Sequence, residues 1–390
     1  MRKNRTSIII YLPLCILLLI ATLEFFLLLR HKSPYLSDSY FYKHIYYEMQ
    51  GDSFDTARQK IIAQVDFQKA DDITKNFFLN QDKYKYSLSR YIRRPLYPLT
   101  AYLLNLFIAD EYWAFTIPIF VSYIGCISLI YFLFRHRFDS FWASFGAALF
   151  IGFYPFLDWS TYFLTDTIGA FFWLLQIYLI FKLVEKPSKI VFMTYVLSLI
   201  ISLFNREQSL LMVIVILIVL GLYRMFKLNK SSFSSLYKIK RVSVGIAIAY
   251  LIINVILKQP SLYDSWIYLQ SSFGYYDKQY TLTETISFLF VELIELHKGL
   301  VMDLIHHRWW TTFSVIGLVG IFQSLLIYKK PKFLDILMFA SAVAAYIGLI
   351  IVPFLSYRYF YPTIISVIYF SIYAIQRFFS KQQNSPQTTF

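Results

Sequence analysis

Apolar stretches of close to 20 residues recur along the whole chain. Each is long enough to cross a hydrocarbon core of about 30 Å as a helix. Ten spans can be drawn, at 7–29, 112–134, 140–157, 164–183, 190–204, 208–226, 242–257, 309–328, 333–354 and 359–378. The composition agrees, with 58% of the 390 residues hydrophobic and 15% charged, against about 25% charged in ordinary soluble domains. The expected fold is an all-α membrane protein of about ten transmembrane helices. Residues 1–380 read as a single polytopic module, and residues 381–390 as a disordered cytoplasmic tail. The first stretch, "SIIIYLPLCILLLIATLEFFLLL", is too long for a signal segment and has no small-residue cleavage site, so it is expected to stay as an anchor. Cys15 and Cys126 both fall inside apolar segments, which leaves no disulfide framework or cysteine metal site.

Orientation follows from the short loops. "MRKNR", "RHR", "EKPSK", "KLNKSSFSSLYKIKR", "KKPK" and "RFFSK" all fall on one side. With Lys182 and Arg224 that face holds 19 Lys and Arg against Asp139, Glu185 and Asp335, whereas the other holds 18 basic and 20 acidic residues. The positive-inside rule then makes both termini cytoplasmic. The net charge of +14 reads as a record of orientation, and nucleic acid is not an expected partner. The parity requires that residues 95–108, which begin with Pro95 and Pro98, form a re-entrant or interfacial helix. Two long extracytoplasmic loops result. Residues 30–94 are polar and helical in part, with Ala57, Ile61 and Val65 at helical spacing. Residues 258–308 carry an apolar stripe of Ile286, Leu289, Phe290, Leu293 and Ile294 that suits a helix lying on the outer leaflet. The expected location is the plasma or inner membrane.

The unusual polar residues then sort to the outer face, at the span ends. Asp38 could remain charged at a cavity mouth and accept a proton. It could equally cap the helix "SYFYKHIYYEM", and the surrounding tyrosines, Tyr40 among them, fit an interfacial belt. Arg93 and Arg94 open "RRPLYP" just before a helix N-terminus, a favourable place for phosphate, with planar forks that match phosphate oxygens. Snorkelling to lipid headgroups is the alternative for them, and for Arg358 in "LSYRYFYPT". Asp166 could cap its span, hold a sugar hydroxyl or orient an arginine. Arg206 and Glu207, in "LFNREQSLL", could be a simple interfacial ion pair. Arginines scattered at random over membrane interfaces should favour the cytoplasmic side. Asp38, Arg94, Asp166, Arg206 and Arg358 come from five separate loops of the other face. A shared outward cavity for an anionic ligand, such as a lipid phosphate, is the economical reading. "HHRWW" is a weak metal candidate, since adjacent His306 and His307 on a helix point about 100° apart. Glu24, inside the first span, is expected to face the bundle.

These segments resemble a family. "RRPLYPLTAYLLNLF" looks like the Arg-x-x-Tyr-Pro segment that ends the first outer loop of the GT-C superfamily, multi-span glycosyltransferases that take sugars from polyprenyl-phosphate carriers. "FYPFLDWSTYFLTDTIGAFFWLL" is similar to their Pro…Thr-(Asp/Glu) stretch, and "SYRYFYPTI" to their Arg-Tyr-x-x-Pro segment. The nearest group resembles bacterial mannosyl- and galacturonosyl-transferases of cell-envelope glycans. The resemblance spans about residues 1–380. It implies an inverting hexosyl or pentosyl transfer from a polyprenyl-phosphate sugar to a glycan, lipid or protein acceptor outside the cytoplasm. It also implies Asp38 as general base, with Arg94, Arg93 and Arg358 on the donor phosphate. Asp166, Arg206, Glu207, Tyr40 and Tyr97 would then line the sugar or acceptor pocket, and the helix near 284–300 would serve as a lid. Many members carry paired acids in the first loop, whereas Ser39 follows Asp38 here, so a divalent metal stays open but is not favoured, and the sequence assigns no cofactor. The competing reading is a transporter or flippase of a lipid-linked or small anion. Transporters place ionisable groups at mid-membrane depth, and here the span middles are clean.

Overall fold

Every regular element among the described residues is helical. The computed structural model describes residues 2–68, 72–226, 230–272, 280–327, 331–353 and 356–383. In chain order the helices are α1 (Arg2–His31), α2 (Ser37–Met49), α3 (Phe54–Ile62), α4 (Asp72–Leu79), α5 (Gln81–Ile92) and α6 (Leu96–Ile108). Next come α7 (Glu111–Arg135), α8 (Ser140–Ile151), α9 (Tyr154–Ser160), α10 (Asp166–Glu185), α11 (Lys189–Leu203) and α12 (Met212–Met225). The last six are α13 (Lys230–Ile256), α14 (Leu262–Ser272), α15 (Leu282–His306), α16 (Arg308–Ile321), α17 (Phe333–Ile351) and α18 (Tyr357–Gln383). A short 3₁₀ turn, Glu207–Leu211, leads into α12, and a π turn, Phe322–Ile327, follows α16.

Among the described residues eight helices are long and apolar enough to cross a membrane, α1, α7, α10, α12 with its leading turn, α13, α16, α17 and α18, and a bent pair makes a ninth if it counts as one span. Two of the ten expected spans differ. The stretch 140–157 is broken into α8 and α9, bent by 62°. Gly152 follows α8 and Pro155 sits in the first turn of α9, where proline starts a helix but cannot extend one. The stretch 190–204 forms α11, whose 15 residues rise only about 22 Å. Helix α6, with 13 residues, rises about 20 Å and falls short of a 30 Å core. It ends at Ala109 in the left-handed region (φ 53°), and the Asp110 carboxylate then accepts from the Trp113 amide at 3.1 Å to start α7. Helix α13 begins 12 residues before the expected span at 242, because Leu236 and Ile239 bury an apolar edge of the cationic segment. Lys381–Gln383 still belong to α18, and residues 384–390 of the expected disordered tail lie outside the described residues.

The middle of the bundle is α7, α10, α17 and α18, while α1, α13 and α16 lie at its periphery. Phe115, Ile119, Tyr123, Ile127, Ile130 and Phe134 recur at helical spacing along α7, all buried. Helix α16 lies close against α18 because Gly320 and Gly317 face the Phe370 and Val367 carbonyls; a side chain at 320 would collide with that backbone. At one end of the bundle Asp335 accepts from Arg137 Nε (3.0 Å), the Tyr369 hydroxyl (2.5 Å) and the Lys332 amide (2.9 Å). This buried knot ties the α7–α8 turn to α17 and α18.

At the opposite end, α2 to α5 pack into a layer glued by aromatic rings. Phe41 stacks on Phe78 and Tyr91 with centroids 5.5 and 4.8 Å apart. Lys43, buried, pairs with Glu111 at the start of α7 and donates to Gln64 Oε1 at 2.6 Å. Ala57 and Ile61 are buried as the spacing predicts, but α3 ends at Ile62 and leaves Val65 in the following turn. On α15 the apolar stripe is only partly covered by the rest of the described chain, with Leu293 packed against the core. Ile286, Phe290 and Ile294 are 55, 64 and 51% exposed.

Candidate active site

The candidate site is built where helix ends from five separate segments meet. Asp38 lies in the first turn of α2, where a carboxylate is favoured by the helix dipole. It is not the cap: the Leu36 amide donates to Ser39 Oγ at 3.1 Å, which leaves the Asp38 side chain free to point elsewhere. Its Oδ1 accepts from the Tyr91 hydroxyl at 2.8 Å and its Oδ2 from Arg358 Nη1 at 3.2 Å. Burial first, and the Asp38 charge second, push the Tyr91 phenol well above its usual range, so it keeps its proton and donates.

Arg358, in the first turn of α18, reaches on to Asp166, with Nε 3.9 Å from Oδ1. Its guanidinium rests over the rings of Trp159 and Tyr359, each 5.1 Å away. Asp166 opens α10, is buried, and forms an ion pair with Arg206. Of the three readings open to it, the structure matches the one in which it orients an arginine. Gly169, one turn into α10, makes room for Arg206: a Cβ there would stand 3.2 Å from Arg206 Cδ. The neighbouring Asn205 amide donates to the Thr165 carbonyl at 3.0 Å, and Thr165 Oγ1 shares a 3.0 Å hydrogen bond with the Tyr42 hydroxyl. The Leu96 amide donates to the Phe204 carbonyl at 3.2 Å and stitches the start of α6 to the same corner.

Arg206 and Glu207, adjacent in sequence, do not pair with each other. Glu207 turns to the arginine doublet: Oε1 is 2.6 Å from Arg93 Nε, while Oε2 accepts from Arg94 Nε and Nη2 at 3.2 and 3.1 Å. Glu207 therefore locks the two arginines. Arg93 also donates to the Pro260 carbonyl at 2.9 Å, which holds the start of the 258–308 segment against the cluster. Arg93, Arg94, Arg206 and Arg358 face Asp38, Asp166 and Glu207, four guanidinium groups against three carboxylates. One positive charge is left over in a largely buried setting, where electrostatic attraction for an anion is stronger than in water.

Two expected pocket residues lie elsewhere. Tyr40 stacks on Tyr35 (5.7 Å) and its hydroxyl donates to the Gln64 carbonyl at 3.4 Å, within the aromatic layer. Tyr97 is fully buried with its hydroxyl donated to the Phe115 carbonyl at 3.0 Å, so it holds α6 to α7. The structure adds Tyr91, Tyr42, Trp159 and Tyr359, of which only Tyr42 is among the tyrosines that read as an interfacial belt in the sequence. One signal did exist, because Asp38 and Tyr42 are i, i+4 on α2 and share a face. Tyr361 adds a buried hydroxyl with no hydrogen-bond partner among the described residues, close enough to Asp166 and Arg358 to feel their charge. His306 and His307 sit exposed at the α15–α16 junction. Among the described residues no group of three His, Cys, Asp or Glu side chains is placed to hold a metal ion.

Residues 93–239, from the arginine doublet into α13, match the family model of the dolichyl-phosphate-mannose-protein mannosyltransferases. The matched segment is similar to a GT-C glycosyltransferase domain. The match covers less than half of the chain, and it includes Arg93, Arg94, Asp166, Arg206 and Glu207 but neither Asp38 nor Arg358. Those two join the GT-C segment through the contacts described above. The matched family is one of transferases, which favours group transfer over the transporter reading. No curated protein matches the chain significantly.

Proposed function

We propose that this protein transfers a sugar, with inversion, from a polyprenyl-phosphate carrier to a hydroxyl acceptor on the extracytoplasmic side of the membrane. The reading is carried by one observation. A partly exposed carboxylate, Asp38 (side chain 31% exposed), shares the Arg358 guanidinium with the GT-C segment's buried Asp166–Arg206 pair. Asp38 removes the proton from the acceptor hydroxyl as its oxygen bonds to the anomeric carbon. The bond from that carbon to the phosphate oxygen breaks, and the carrier phosphate leaves with one more negative charge. Arg358 meets that charge. Arg94 and Arg93, steadied by Glu207, supply a second, fixed positive wall. Asp166 and Arg206 form the floor of the pocket, holding Arg358 in place from below.

A positioned general base contributes on the order of 10²–10⁴ in rate, and loss of one stabiliser of developing charge costs on the order of 10²–10³. In purified full-length protein given a radiolabelled polyprenyl-phosphate sugar, Asp38→Asn is expected to lose at least about a hundredfold in turnover while still binding donor. Unchanged turnover in that variant would remove Asp38 as the base.

A further inference from the structure

Asp38 has two chemically equivalent oxygens in different surroundings. Oδ2 faces Arg358 and the cluster, whereas Oδ1 faces the Tyr91 hydroxyl. We propose that Tyr91 is a positioning residue for Asp38, holding Oδ1 so that Oδ2 stays turned toward the arginine cluster to receive the acceptor proton. This rests on Asp38 acting as the base.

The terminal torsion of an aspartate is broad and roughly two-fold, so an Asp38 held by a shared arginine alone would have no fixed orientation. Arg358 is such a partner, since it also serves Asp166 and, in the proposed reaction, the donor phosphate. Tyr91 is fixed by packing. Its ring stacks on Phe41 (4.8 Å, 15°) and lies edge-on to Tyr42 (5.2 Å, 87°). Phe41 and Tyr42 belong to α2, the helix that carries Asp38, so the phenol is fixed in the frame of the carboxylate it serves. The buried phenol retains its proton, which lets it donate to Asp38 and keeps it from competing as a base. When the donor phosphate takes up the charge of Arg358, Tyr91 still holds Oδ1, and Oδ2 is left to the acceptor hydroxyl.

Tyr91→Phe removes the hydroxyl and keeps the ring that packs on Phe41. With full-length protein in lipid nanodiscs and a radiolabelled polyprenyl-phosphate sugar, the expected result is a fall in kcat of about ten- to a hundredfold. Donor KM and the thermal unfolding midpoint should stay near wild type. A role in packing alone would move the unfolding midpoint or donor KM together with kcat, or would leave kcat unchanged, and either result overturns the proposal. Should Tyr91→Phe fold poorly, fluorinated tyrosines incorporated at position 91 preserve the packing and change only the acidity of the phenol. A kcat that varies regularly along that series supports the assignment, and a flat series overturns it. Loss of activity in Asp38→Asn with a silent Tyr91→Phe would refute only this inference. An active Asp38→Asn would refute the base assignment itself and this inference with it.

Discussion

At the scale of single residues, the inner pair of the cluster consists of charges that water hardly reaches. Asp166 and Arg206 are 4 and 6% exposed, and the pair is worth little compared with the cost of separating it. Removing Arg206 leaves the buried Asp166 with only the more distant Arg358, 3.9 Å away, at a cost approaching the ~3–5 kcal/mol of a broken buried pair. Arg206→Ala should therefore lower the thermal unfolding midpoint and the folded yield sharply. Arg94→Ala leaves Glu207 still paired with Arg93 at 2.6 Å and should cost clearly less. Equal losses for the two variants, measured side by side in one detergent or nanodisc preparation, would show that the buried pair has no special weight. Leaving Gly169 as glycine matters for the same reason, since a larger side chain would press on the arginine that Asp166 holds.

At the scale of elements, α2 to α5 form a layer held by tyrosines that keep their protons. Burial raises the phenol pKa of Tyr46 to about 12. It also raises Tyr35, Tyr47, Tyr84 and Tyr91 well beyond the usual value, with nearby carboxylates and other phenols adding to the shift. The sign follows from linkage: in the unfolded chain these groups lose protons near pH 10, and in the folded layer they do not. The stabilisation is fully present below pH 10 and is lost as pH rises through the folded values. Amide exchange in α2 and α5 should accelerate between pH 10 and 12, after correction for intrinsic rates, before α7 and α10 lose protection. Phenolate absorbance from these rings should appear together with that opening. Smooth ionisation while the amides remain protected would contradict the assignment.

At the scale of the whole molecule, the proposed chemistry requires the Asp38 end of the bundle to face outward. The two ends carry different charge knots: Asp335 with Arg137 at one, and the arginine cluster at the other. In a background with Cys15 and Cys126 replaced by alanine, a membrane-impermeant maleimide should label Asn76→Cys in intact cells. Lys186→Cys should be labelled only after permeabilisation. Both positions are exposed at the surface, so accessibility within the fold does not decide the result. The reverse pattern would place the cluster in the cytoplasm and remove an extracytoplasmic acceptor.

Much of this was legible along the chain because a bilayer acts on sequence locally. Its thickness selects helices by length, and its water boundaries collect Asp38, Arg94, Asp166, Arg206 and Arg358 at helix ends. The bend at Gly152 and Pro155 was less legible, since the apolar run continues through it. Partner choice could not be read at all. Arg206 and Glu207 are neighbours that face different carboxylate and guanidinium groups, and Tyr40 and Tyr97, plausible pocket residues by position, are spent on packing. Asp38 meets Arg358 across 320 positions of sequence. That contact exists only because the ends of α2 and α18 arrive at the same corner of the bundle. Hydropathy and charge are properties of a segment, so the sequence alone could determine a helical membrane protein with its unusual charges at the span ends. Which charges neutralise one another depends on distances between segments, and only the packed tertiary structure sets those.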